Sequence, residues 1–566
     1  MVNRWVLKPE PDPDITKALA AELGVDKLIA GLLVQRNIKT FDQARTFFRP
    51  TLSHFHDPFL MKDMDLAVDR LEHAISTQER ILVYGDYDVD GTTSVALMAG
   101  YLKTRTEPVA TYIPDRYMEG YGLSFQGIDF AHDNGISLIV ALDCGVKAVD
   151  QVKYAKDKGI DIIVCDHHRP GLELPDAVAV LDPKREDCFY PYKELCGCGV
   201  GFKLIQALEE NRGLEVNDIL SYLDLVATAI AADIVPITGE NRALVYFGLQ
   251  VLNSNPRPGL WALLQGVNKD QIQVSEIVFR LAPRINAAGR MEHGELAVAL
   301  LTASDKSNAL ELAAKIEELN LERRATDQHT TEAALHQIRE LGEEDRHSTV
   351  VYNAGWHKGV IGIVASRLIE TYYRPTIVFT KSGDFLTASA RTIANFDLYD
   401  ALEACSDCLV QFGGHTHAAG LTIKPSNYQE FKTRFEDYVA SSLSREMMVP
   451  EVYLDMPIQL SDISPKMVRI LKQFAPFGPG NETPIFLSYP VRDSGYARNV
   501  GDTGDHLKMA VLQDGTGPID AIAFRQGSAL ECVRGKGPLQ LAYSLDENTW
   551  QGKTRLQLLI RDLKSL

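Results

Sequence analysis

Short apolar runs alternate with segments of helical length in the first half of the chain. Four runs between residues 80 and 183 are rich in β-branched residues and lack polar interruptions: ILVYG (81–85), SLIVAL (137–142), DIIVC (161–165) and AVAVL (177–181). Strands that are buried on both faces have this pattern, and the segments between them are long enough for crossover helices. The pattern predicts an α/β domain with a parallel sheet.

The pattern changes beyond residue 300. Residues 307–341 are charged throughout and predict one long helix of about 50 Å, which is more typical of a connection between domains than of a core. Strand-like runs at 348–354 and 375–380 flank a helical segment at 359–373 and predict a second, smaller α/β domain. From about residue 452, short strands alternate with Gly- and Pro-rich turns, which is typical of a small all-β barrel.

Length and composition narrow the class of protein. A chain of 566 residues is too long for one core, so two to four domains are expected. The hydrophobic fraction of 45% and the charged fraction of 24% are ordinary for a globular protein. No apolar run approaches the roughly 20 residues of a membrane span, and the N-terminus lacks the apolar region of a signal peptide. We therefore expect a cytoplasmic protein without a membrane anchor.

The eight cysteines do not suggest a disulfide framework, and reduced thiols are the simpler interpretation. Cys405 and Cys408 form a CxxC pair, and His415 and His417 follow, so a zinc site has to be considered. However, residues 397–412 have the pattern of an amphipathic helix, and no second cysteine pair lies at finger spacing. We do not predict zinc here.

The net charge of −18 argues against broad electrostatic binding to nucleic acid, because phosphates attract Lys and Arg. Carboxylates that bind divalent cations count as acidic in this total, yet a filled metal site attracts phosphate. The charge therefore predicts weak non-specific binding and a localised basic channel.

Each of the four apolar runs in the predicted parallel sheet is followed by an acid. These acids are Asp86, Asp143, Asp166 and Asp182. One such acid would be explained by the preference of Asp for turns and helix caps. In open α/β sheets, however, ligands bind at the carboxyl ends of the strands, so four acids at four strand ends predict one acidic site.

The strongest local signal is YGDYDVDGTTS, in which Asp86, Asp88 and Asp90 alternate. In an extended chain, residues two apart point the same way, so these carboxylates are expected to converge before a turn at Gly91 and a helix over TTSVALMAGYLKTR. The N-terminal amides of that helix are expected to face a phosphate. An EF-hand calcium loop is disfavoured because Leu97 occupies the position of the required Glu.

Two further segments add metal-ligand chemistry. Asp166, His167 and His168 follow a strand, and oxygen ligands together with imidazole suit Mn²⁺ or a similar ion. One histidine is expected to bind metal, and the other to orient or protonate a leaving group. Asp233 is the only charge in the apolar helical stretch ATAIAADIVP, so it needs a partner. A cap or a buried ion pair would also satisfy it, but a metal fits the other clusters better.

Together these acids and one histidine are sufficient for two divalent ions about 3.5–4 Å apart, as in two-metal phosphoryl chemistry. The predicted ligands are Asp88, Asp90, Asp143, His167 and Asp233. No Walker loop competes, since the sequence lacks GxxxxGK[ST]. The glycines at 197, 199 and 201 predict close packing at the start of a helix.

The ordered motifs resemble those of the DHH/DHHA1 phosphoesterase family. GDYDVDGTTS, ALDCG, CDHHRP and ATAIAADIVP match its phosphoesterase motifs, while VFRLAPRINAAGRM, GWHKGVIGIVASRL, SARTI, QFGGHTHAAG and FAPFGPGNETP resemble its single-stranded-DNA exonucleases. The resemblance covers the chain from about residue 60 onward. It implies a lead-in (1–50), a DHH catalytic domain (51–270), a connecting segment with the long helix (271–344), a DHHA1 domain across a cleft (345–448) and an OB-fold-like domain that binds single strands (449–566).

The resemblance also implies roles for individual residues. The five predicted ligands would bind two Mn²⁺ or Mg²⁺ ions, and Asp86, Asp166 and His168 would support them or transfer protons. Residues implied to bind DNA are Arg116, Ser389 and Arg391, which hold the 5′ phosphate, Arg280 and Arg284, which line the cleft together with Arg290, and His415, which contacts substrate beside glycines 413, 414 and 420. For the three cleft arginines, ordinary ion pairing is an equally good interpretation.

The activity implied by the resemblance is 5′→3′ hydrolysis of single-stranded DNA to mononucleotides, in recombination and repair. A single-strand-binding protein and a helicase are the implied partners, and a monomer is expected. Two alternatives remain open. One is a phosphodiesterase for short oligonucleotides or cyclic dinucleotides, which the extra C-terminal β domain disfavours. The other is a non-catalytic replication scaffold, which the complete set of acids and histidines disfavours.

Overall fold

The computed structural model describes residues 3–267, 271–535, 537–550 and 553–566, and the side chain of Trp550 lies outside this description. The chain forms two compact units. The larger unit comprises Pro11–Asn320 and Pro465–Thr483, and the smaller unit comprises Met1–Glu10, Leu321–Ser464 and Pro484–Leu566. No helix among the described residues is both long and apolar enough to span a membrane.

The secondary structure is mixed. In chain order the helices are α1 (Pro13–Leu23), α2 (Lys27–Gln35), α3 (Phe41–Phe48), α4 (Met64–Ser76), α5 (Val89–Leu102), α6 (Phe125–Asp133), α7 (Val149–Asp157), α8 (Gly197–Asn211), α9 (Leu223–Ala232), α10 (Gly239–Ser254), α11 (Pro258–Leu264), α12 (Val274–Glu276), α13 (Ala282–Met291), α14 (Glu295–Leu301), α15 (Lys306–Glu340), α16 (Ile361–Thr371), α17 (Leu398–Glu403), α18 (Tyr428–Ser442), α19 (Pro465–Lys472) and α20 (Leu530–Arg534). The strands are β1 (Arg4–Leu7), β2 (Ile81–Gly85), β3 (Val109–Tyr112), β4 (Leu138–Leu142), β5 (Asp161–Cys165), β6 (Ala179–Leu181), β7 (Thr349–Tyr352), β8 (Thr376–Ser382), β9 (Phe385–Arg391), β10 (Leu409–His415), β11 (Ala418–Ile423), β12 (Glu451–Leu454), β13 (Met456–Pro457), β14 (Phe486–Asp493), β15 (Arg498–Val500), β16 (His506–Leu512), β17 (Ile519–Ala523), β18 (Leu539–Trp550) and β19 (Lys553–Ser565).

The larger unit is built on the predicted parallel sheet. Its strand order is β3-β2-β4-β5-β6, with every neighbouring pair parallel, so the α/β prediction is confirmed. Alternate residues of β2 and β4 belong to two separate hydrophobic clusters, one on each face of the sheet. This double burial explains the uninterrupted apolar runs. The edge strand β3 has no counterpart among the four predicted runs.

The smaller unit contains the predicted second α/β fold. The long helix α15 has 35 residues, and the sheet beyond it has the order β10-β11-β9-β8-β7. The amphipathic helix predicted over 397–412 is wrong beyond Glu403, because the chain continues into β10. There Phe412, Gly413 and Gly414 pair with β11 in an antiparallel ladder. Backbone pairing with a neighbouring strand therefore overrides the local helical pattern.

The C-terminal strands close into the predicted barrel. The ladder runs β14-β18-β19-β17-β16, and a further pairing of β14 with β16 completes the ring. Closure leaves these five strands without a free edge, which is the arrangement of a small Greek-key barrel.

Two segments belong to a different unit from the residues that flank them in sequence. The predicted lead-in folds as α1 to α3 within the larger unit, while β1 pairs with β12 in the smaller one. Residues 465–483 join the larger unit, where Arg242 donates to the carbonyl oxygens of Phe474, Ala475 and Pro476. The larger unit therefore includes a segment that is distant in sequence.

Candidate metal centre

The acids of the larger unit lie together at the topological switch point of its parallel sheet, between β2 and β4. Strand β3 lies on one side of β2 and β4 on the other, so the carboxyl ends of β2 and β4 border the crevice in which open α/β sheets bind ligands. Asp86 follows β2, Asp143 follows β4 and Asp166 follows β5, as predicted, and all three are buried. The sheet topology therefore brings together acids that are far apart in sequence.

Asp88 and Asp90 reach this crevice from the start of a helix. Asp88 is the N-cap of α5, and its Oδ1 accepts from the Gly91 amide at 3.0 Å, so Asp90 lies in the first helical turn. The predicted extended conformation ending in a turn at Gly91 is therefore wrong, because the Asp88 cap starts the helix earlier. Gly91 is needed for another reason: a Cβ there would overlap the backbone oxygen of Asp86.

His167 lies among three of the predicted ligands. Its Nε2 is 3.2 Å from Asp143 Oδ1 and 3.7 Å from an oxygen of both Asp90 and Asp233. Asp90, Asp143 and His167 are buried, whereas the Asp233 side chain is 29% exposed. Two overlapping sets have ligand atoms within 4.8 Å of one another: Asp90, His167 and Asp233, and Asp143, His167 and His168. Asp233 thus lies on the side of the cluster that solvent can reach.

The buried atoms of this cluster need a cation. Asp143 Oδ1 and His167 Nε2 are inaccessible to solvent and make no hydrogen bond within the described chain. Burying polar atoms without partners is costly, and burying several carboxylates together adds mutual repulsion. Carboxylate oxygens with one imidazole nitrogen form a donor set that suits Mn²⁺ or Mg²⁺. The residues present therefore fit a divalent metal site.

The first turn of α8 holds one side of the cluster. The Gly197 and Cys198 amides donate to the two oxygens of Asp90 at 2.6 and 2.8 Å. A Cβ on Gly197 would lie 2.5 Å from the Asp143 Cβ and 2.8 Å from its Oδ1, which confirms the predicted close packing at the start of a helix. Asp143 itself has a φ of +59°, which turns the chain sharply after β4. Both acids are therefore fixed by the backbone around them.

The electrostatic environment favours neutral side chains while no cation is bound. Burial first, and then the Asp90 and Asp88 carboxylates, raise the pKa of Asp143 well above its usual value. Burial and Asp90 raise the pKa of Asp233 to about 8, and burial and Asp88 raise that of Asp90 to about 6. Burial lowers the pKa of His167 to about 3, so its imidazole is neutral at physiological pH, as a metal ligand must be.

Beside the cluster, a carboxylate, a histidine and a tyrosine form a hydrogen-bonded chain. Asp166 accepts from His168 Nδ1 at 2.8 Å and from the Val146 amide at 2.9 Å. Burial opposes ionisation of Asp166, but the His168 hydrogen bond and charge outweigh it and lower the pKa to about 2. On the other side of the ring, His168 Nε2 is 3.2 Å from the Tyr121 hydroxyl, which also donates to the Asp143 carbonyl oxygen at 3.1 Å. Tyr121 was missed by the sequence analysis, since nothing distinguishes it from other loop tyrosines.

Asp86 and Arg116 border the same crevice. The carboxylate of Asp86 is fully buried, and its Oδ2 lacks a hydrogen-bond partner among the described residues. Burial first, then Asp88, raise its pKa well above the usual value, whereas the Arg116 charge lowers it. The Arg116 guanidinium lies 4.5 Å from the centroid of the Tyr87 ring, which orients it without using its hydrogen-bond donors.

In the smaller unit, Ser389 and Arg391 lie on one face of β9. Arg391 Nη1 donates to Ser389 Oγ at 3.0 Å. Gly362, in the first turn of α16, faces them: a Cβ there would lie 2.9 Å from Ser389 Oγ and 3.0 Å from Arg391 Nη2. A hydroxyl, a guanidinium and a helix N-terminus thus lie together, and each of them binds phosphate well.

His415 lies in the same row of this sheet as Arg391. It pairs with Ala418, and Ala418 pairs with Arg391, so the two side chains project from one face two strands apart. His415 is exposed, and a Cβ on Gly413 would meet nothing within 4 Å. Gly414 differs: its φ of +151° and the closeness of the Ala418 backbone show that strand packing requires it.

The predicted cleft arginines have diverse surroundings. Arg280 is exposed on a π-helical turn at Ile277–Leu281. Arg284 forms a close ion pair with Glu317 and donates to the Arg280 carbonyl oxygen. Arg284 therefore makes an ordinary ion pair. The carbonyl oxygen of Arg290 accepts a hydrogen bond from the Tyr117 hydroxyl.

Three families match successive parts of the chain. Residues 80–230 match the family described as "DHH family, N-terminal domain", residues 347–441 the "DHHA1 domain", and residues 454–562 the "RecJ OB domain". The first match includes Asp90, Asp143 and His167 of the acidic crevice but ends before Asp233. The second includes Ser389, Arg391 and His415, and the third covers the closed barrel.

Relatives match over nearly the whole length. The chain is 38% identical over 564 residues to "Single-stranded-DNA-specific exonuclease RecJ" of Bacillus subtilis (strain 168), covering 99% of this chain and 70% of that protein. The crystal structure of RecJ from Thermus thermophilus in complex with Mn²⁺ superposes with a TM-score of 0.86 at 29% identity, covering 100% of this chain and 80% of that one. The corresponding Mg²⁺ complex gives a TM-score of 0.79 at 28% identity, covering 100% and 78%. The chain therefore belongs to the family of RecJ single-stranded-DNA-specific exonucleases.

Proposed function

We propose that this protein is a metal-dependent exonuclease that hydrolyses single-stranded DNA from the 5′ end to mononucleotides. The observation that carries the proposal is the buried cluster of Asp90, Asp143 and His167, in a chain of this family. Asp143 Oδ1 and His167 Nε2 have no hydrogen-bond partner among the described residues and require a cation. The closed C-terminal barrel supports binding of single strands, since such barrels present a groove to nucleic acid.

Two divalent ions, Mn²⁺ or Mg²⁺, are the cofactors that the donor set fits. We propose that the ligands are Asp88, Asp90, Asp143, His167 and Asp233. When bound, such ions polarise the scissile phosphate and lower the pKa of water. The amides at the start of α8 fix the Asp90 carboxylate, and the neutral imidazole of His167 offers a lone pair at Nε2. Asp86 supports the cluster from the end of β2.

His168 is proposed to hold and deliver the proton for the leaving group. Burial opposes its protonation, but the hydrogen bond from its Nδ1 to Asp166 and the Asp166 charge raise the pKa of His168 above the usual value. Its Nε2, beside the Tyr121 hydroxyl, carries the transferable proton. Asp166 thereby orients the ring and stabilises its charged form.

The 5′→3′ polarity is proposed to come from capture of a 5′ phosphate. Ser389 and Arg391, facing the first turn of α16, offer a hydroxyl, a bidentate guanidinium and helix amides. Arg116 is proposed to contribute a second guanidinium, and His415 to contact a neighbouring nucleotide. Arg280 is exposed and is proposed to contact the DNA backbone, whereas Arg284 is less available because of its Glu317 partner.

We place the activity in DNA recombination and repair, in the cytoplasm, by likeness to the family. A single-strand-binding protein and a helicase are the proposed partners, and a monomer is the proposed working form.

The deciding experiment is digestion of a long single-stranded DNA labelled at either end, with Mn²⁺ and with chelator. The wild-type chain is compared with Asp143→Ala and with the matched control Asp150→Ala, an exposed acid in the first turn of α7. We expect mononucleotides released from the 5′ side by wild type and control, and none with chelator or Asp143→Ala.

A second pair of substrates tests the polarity. A blocked 5′ end is expected to slow release strongly relative to a 5′ phosphate, and duplex DNA of the same sequence is expected to resist digestion. Activity confined to oligomers of a few nucleotides would instead indicate a short-oligonucleotide phosphodiesterase. Absence of activity with metal bound would indicate a scaffold.

A further inference from the structure

Lys184 lies at the edge of the metal centre and has no part in the chemistry above. It is the third residue after β6, in the turn that follows the buried Asp182. Strand β6 pairs in parallel with β5, with Leu181 opposite Cys165, so Asp182 lies beside Asp166 at the carboxyl edge of the sheet. The fold therefore places a lysine at the same edge as the acids.

The turn that carries Lys184 is held by hydrogen bonds. Asp182 Oδ1 accepts from the Lys184 amide at 2.7 Å, and the Asp182 carbonyl oxygen accepts from the Arg185 amide at 3.3 Å. The buried guanidinium of Arg185 donates to the carboxylates of Asp63 and Asp187. The backbone of Lys184 is thus fixed in advance, which lowers the entropic cost of bringing its side chain to a ligand.

The ammonium of Lys184 has room for a further partner. Within the described chain it contacts one acid, Glu194, whose Oε2 lies 3.7 Å away, which is longer than a hydrogen bond. The two side chains are 28% and 45% exposed, and an ion pair this open contributes little to stability. Stabilisation of the fold therefore does not account for the position of this cation.

The charge of Lys184 reaches the open side of the metal centre. Burial raises the pKa of Asp233 to about 8, and the Lys184 charge opposes this rise. Burial lowers the pKa of His167 to about 3, and the Lys184 charge adds to this lowering. A cation here repels the metal ions that the acids attract, so metal binding does not explain it either. An anion that enters from solvent is the group that both the lysine and the bound metal would attract.

We propose that Lys184 is a catalytic residue that contacts a non-bridging oxygen of the scissile phosphodiester. This inference rests on the proposed function, to which it adds a substrate contact. Water supplies the oxygen of the new P–O bond and loses a proton to solvent, while the bond from phosphorus to the 3′ oxygen breaks and that oxygen takes the proton held by His168. Negative charge builds on the non-bridging oxygens during this step, and a fixed ammonium stabilises it more than it stabilises the ground state. The contact should therefore act mainly on kcat.

The test compares Lys184→Met, Lys184→Arg and Glu194→Gln in steady-state release of mononucleotides from a 5′-phosphorylated single strand with Mn²⁺. We expect Lys184→Met to lower kcat at least 10-fold, as for loss of a hydrogen bond between charged groups, and to change KM less than 3-fold. Lys184→Arg keeps the cation and should retain at least a third of the wild-type kcat. Glu194→Gln removes only the ion pair and should keep the wild-type kcat.

Mn²⁺ affinity separates a substrate contact from a structural role. A lysine that merely held the acids in place would weaken Mn²⁺ binding when lost. Because Lys184 repels cations, Lys184→Met should instead bind Mn²⁺ at least as tightly as wild type, measured from unfolding midpoints with graded Mn²⁺. The control Lys153→Met removes an exposed lysine of α7 and should match wild type in kcat and in Mn²⁺ affinity.

Three outcomes would overturn the proposal: a wild-type kcat in Lys184→Met, an equal loss of kcat in Lys184→Met and Glu194→Gln, or a loss of kcat accompanied by weaker Mn²⁺ binding. The wild-type chain distinguishes this idea from the proposed function. An inactive wild-type chain contradicts the proposed function and the lysine contact together, whereas an active wild-type chain with an equally active Lys184→Met contradicts the lysine contact alone.

Discussion

At the scale of single residues, the metal centre is a group of acids that repel one another until a cation arrives. Asp143 is buried beside Asp90 and the partly exposed Asp233. Its Oδ1 lies 3.2 Å from His167 Nε2 and accepts no hydrogen bond from the described residues. Asn resembles the protonated form of Asp143 that burial and the neighbouring acids favour without metal, and it cannot ionise. The substitution also removes a ligand. Asp143→Asn should therefore be no less stable than wild type in chelator, and yet lose stabilisation by Mn²⁺.

This prediction is checked by thermal unfolding with chelator and with graded Mn²⁺. A ligand at 100 times its Kd stabilises the folded state by about 2.7 kcal/mol, so the wild-type midpoint should rise with Mn²⁺. We expect the affinity of Asp143→Asn for Mn²⁺ to fall about 100-fold or more. Asp150→Asn should respond like wild type. An Asp143→Asn chain that Mn²⁺ still stabilises to the wild-type extent would contradict the assignment of Asp143 as a ligand.

The same residues predict how the metal-free stability depends on pH. The pKa of Asp233 is raised to about 8 in the folded chain, and those of Asp143 and His168 are also raised. For each, the folded state binds more protons than the unfolded state, so stability falls as pH rises through the folded pKa. His167 has a lowered pKa of about 3 and acts in the opposite sense, but only below its unfolded value near 6.5.

Between pH 6.5 and 8, therefore, the metal-free protein should become less stable as pH rises. The measurement is the unfolding midpoint in chelator across this range, compared with Asp233→Asn, in which the slope should be shallower. Because bound metal requires deprotonated ligands, saturating Mn²⁺ should flatten or reverse the trend. A metal-free midpoint that rises from pH 6.5 to 8 would show that the cluster does not dominate this dependence.

Tyr121 illustrates a residue that acts through another. Its hydroxyl connects the Asp143 carbonyl oxygen to His168 Nε2, the atom proposed to carry the proton. Tyr121→Phe removes both contacts, and loss of the one with His168 corresponds to about a 3- to 10-fold lower kcat. KM and Mn²⁺ affinity should not change, because no ligand or phosphate contact is lost. Tyr154→Phe, which removes a hydroxyl bonded to Asp129, is the control, and a rise in KM alone would contradict the positioning role.

At the scale of elements, the start of α8 determines how closely the acids can approach. Gly197→Ala would bring a methyl group to 2.5 Å from the Asp143 Cβ, so either the helix or Asp143 has to move. Overpacking of this kind costs about 1–3 kcal/mol, and displacement of both acids should weaken Mn²⁺ binding at least 10-fold.

The same helix turn supplies the control for this prediction. A Cβ on Gly199 would meet no atom closer than 3.5 Å, so Gly199→Ala should keep Mn²⁺ affinity and slightly stabilise the helix. Unfolding midpoints and Mn²⁺ titrations of the two variants give the comparison. Equal Mn²⁺ affinity in both would show that the close approach of α8 does not shape the site.

At the scale of the whole molecule, the features predicted correctly follow from general packing rules. Strands buried on both faces must be continuously apolar, which located β2, β4, β5 and β6, and parallel topology places their carboxyl ends on one edge. The convergence of Asp143 with Asp90 was therefore accessible from the sequence. The proposed roles of Ser389 and Arg391 come from the resemblance of the ordered motifs to a family, since no packing rule would have connected these two residues with the metal site. Those roles stay predictions.

The features that were missed depend on tertiary contacts. The Asp88 cap starts α5 before the predicted turn, and pairing with β11 converts the end of the 397–412 segment into a strand. Tyr121 acquires its position only from the fold around His168. The domain limits stay a prediction. The prediction groups residues 465–483 with the barrel, whereas in the structure they pack with the larger unit. Local patterns cannot show such returns of the chain.

That returning segment carries the last prediction. Arg242 is buried, and three of its acceptors are the carbonyl oxygens of Phe474, Ala475 and Pro476. The Ile237 amide donates to the Pro479 carbonyl oxygen at 2.7 Å.

Two shortened chains, 1–464 and 1–483, differ only by this segment. Without it, the larger unit loses these hydrogen bonds and the packing of Phe474 against Phe47, each of which contributes on the order of 1 kcal/mol. The chain 1–464 should therefore unfold at lower urea than 1–483 and show weaker stabilisation by Mn²⁺, since α10 follows Asp233 closely. Coincident urea transitions would show instead that the larger unit is complete without residues 465–483, and the domain limit predicted near residue 449 would then be the physical one.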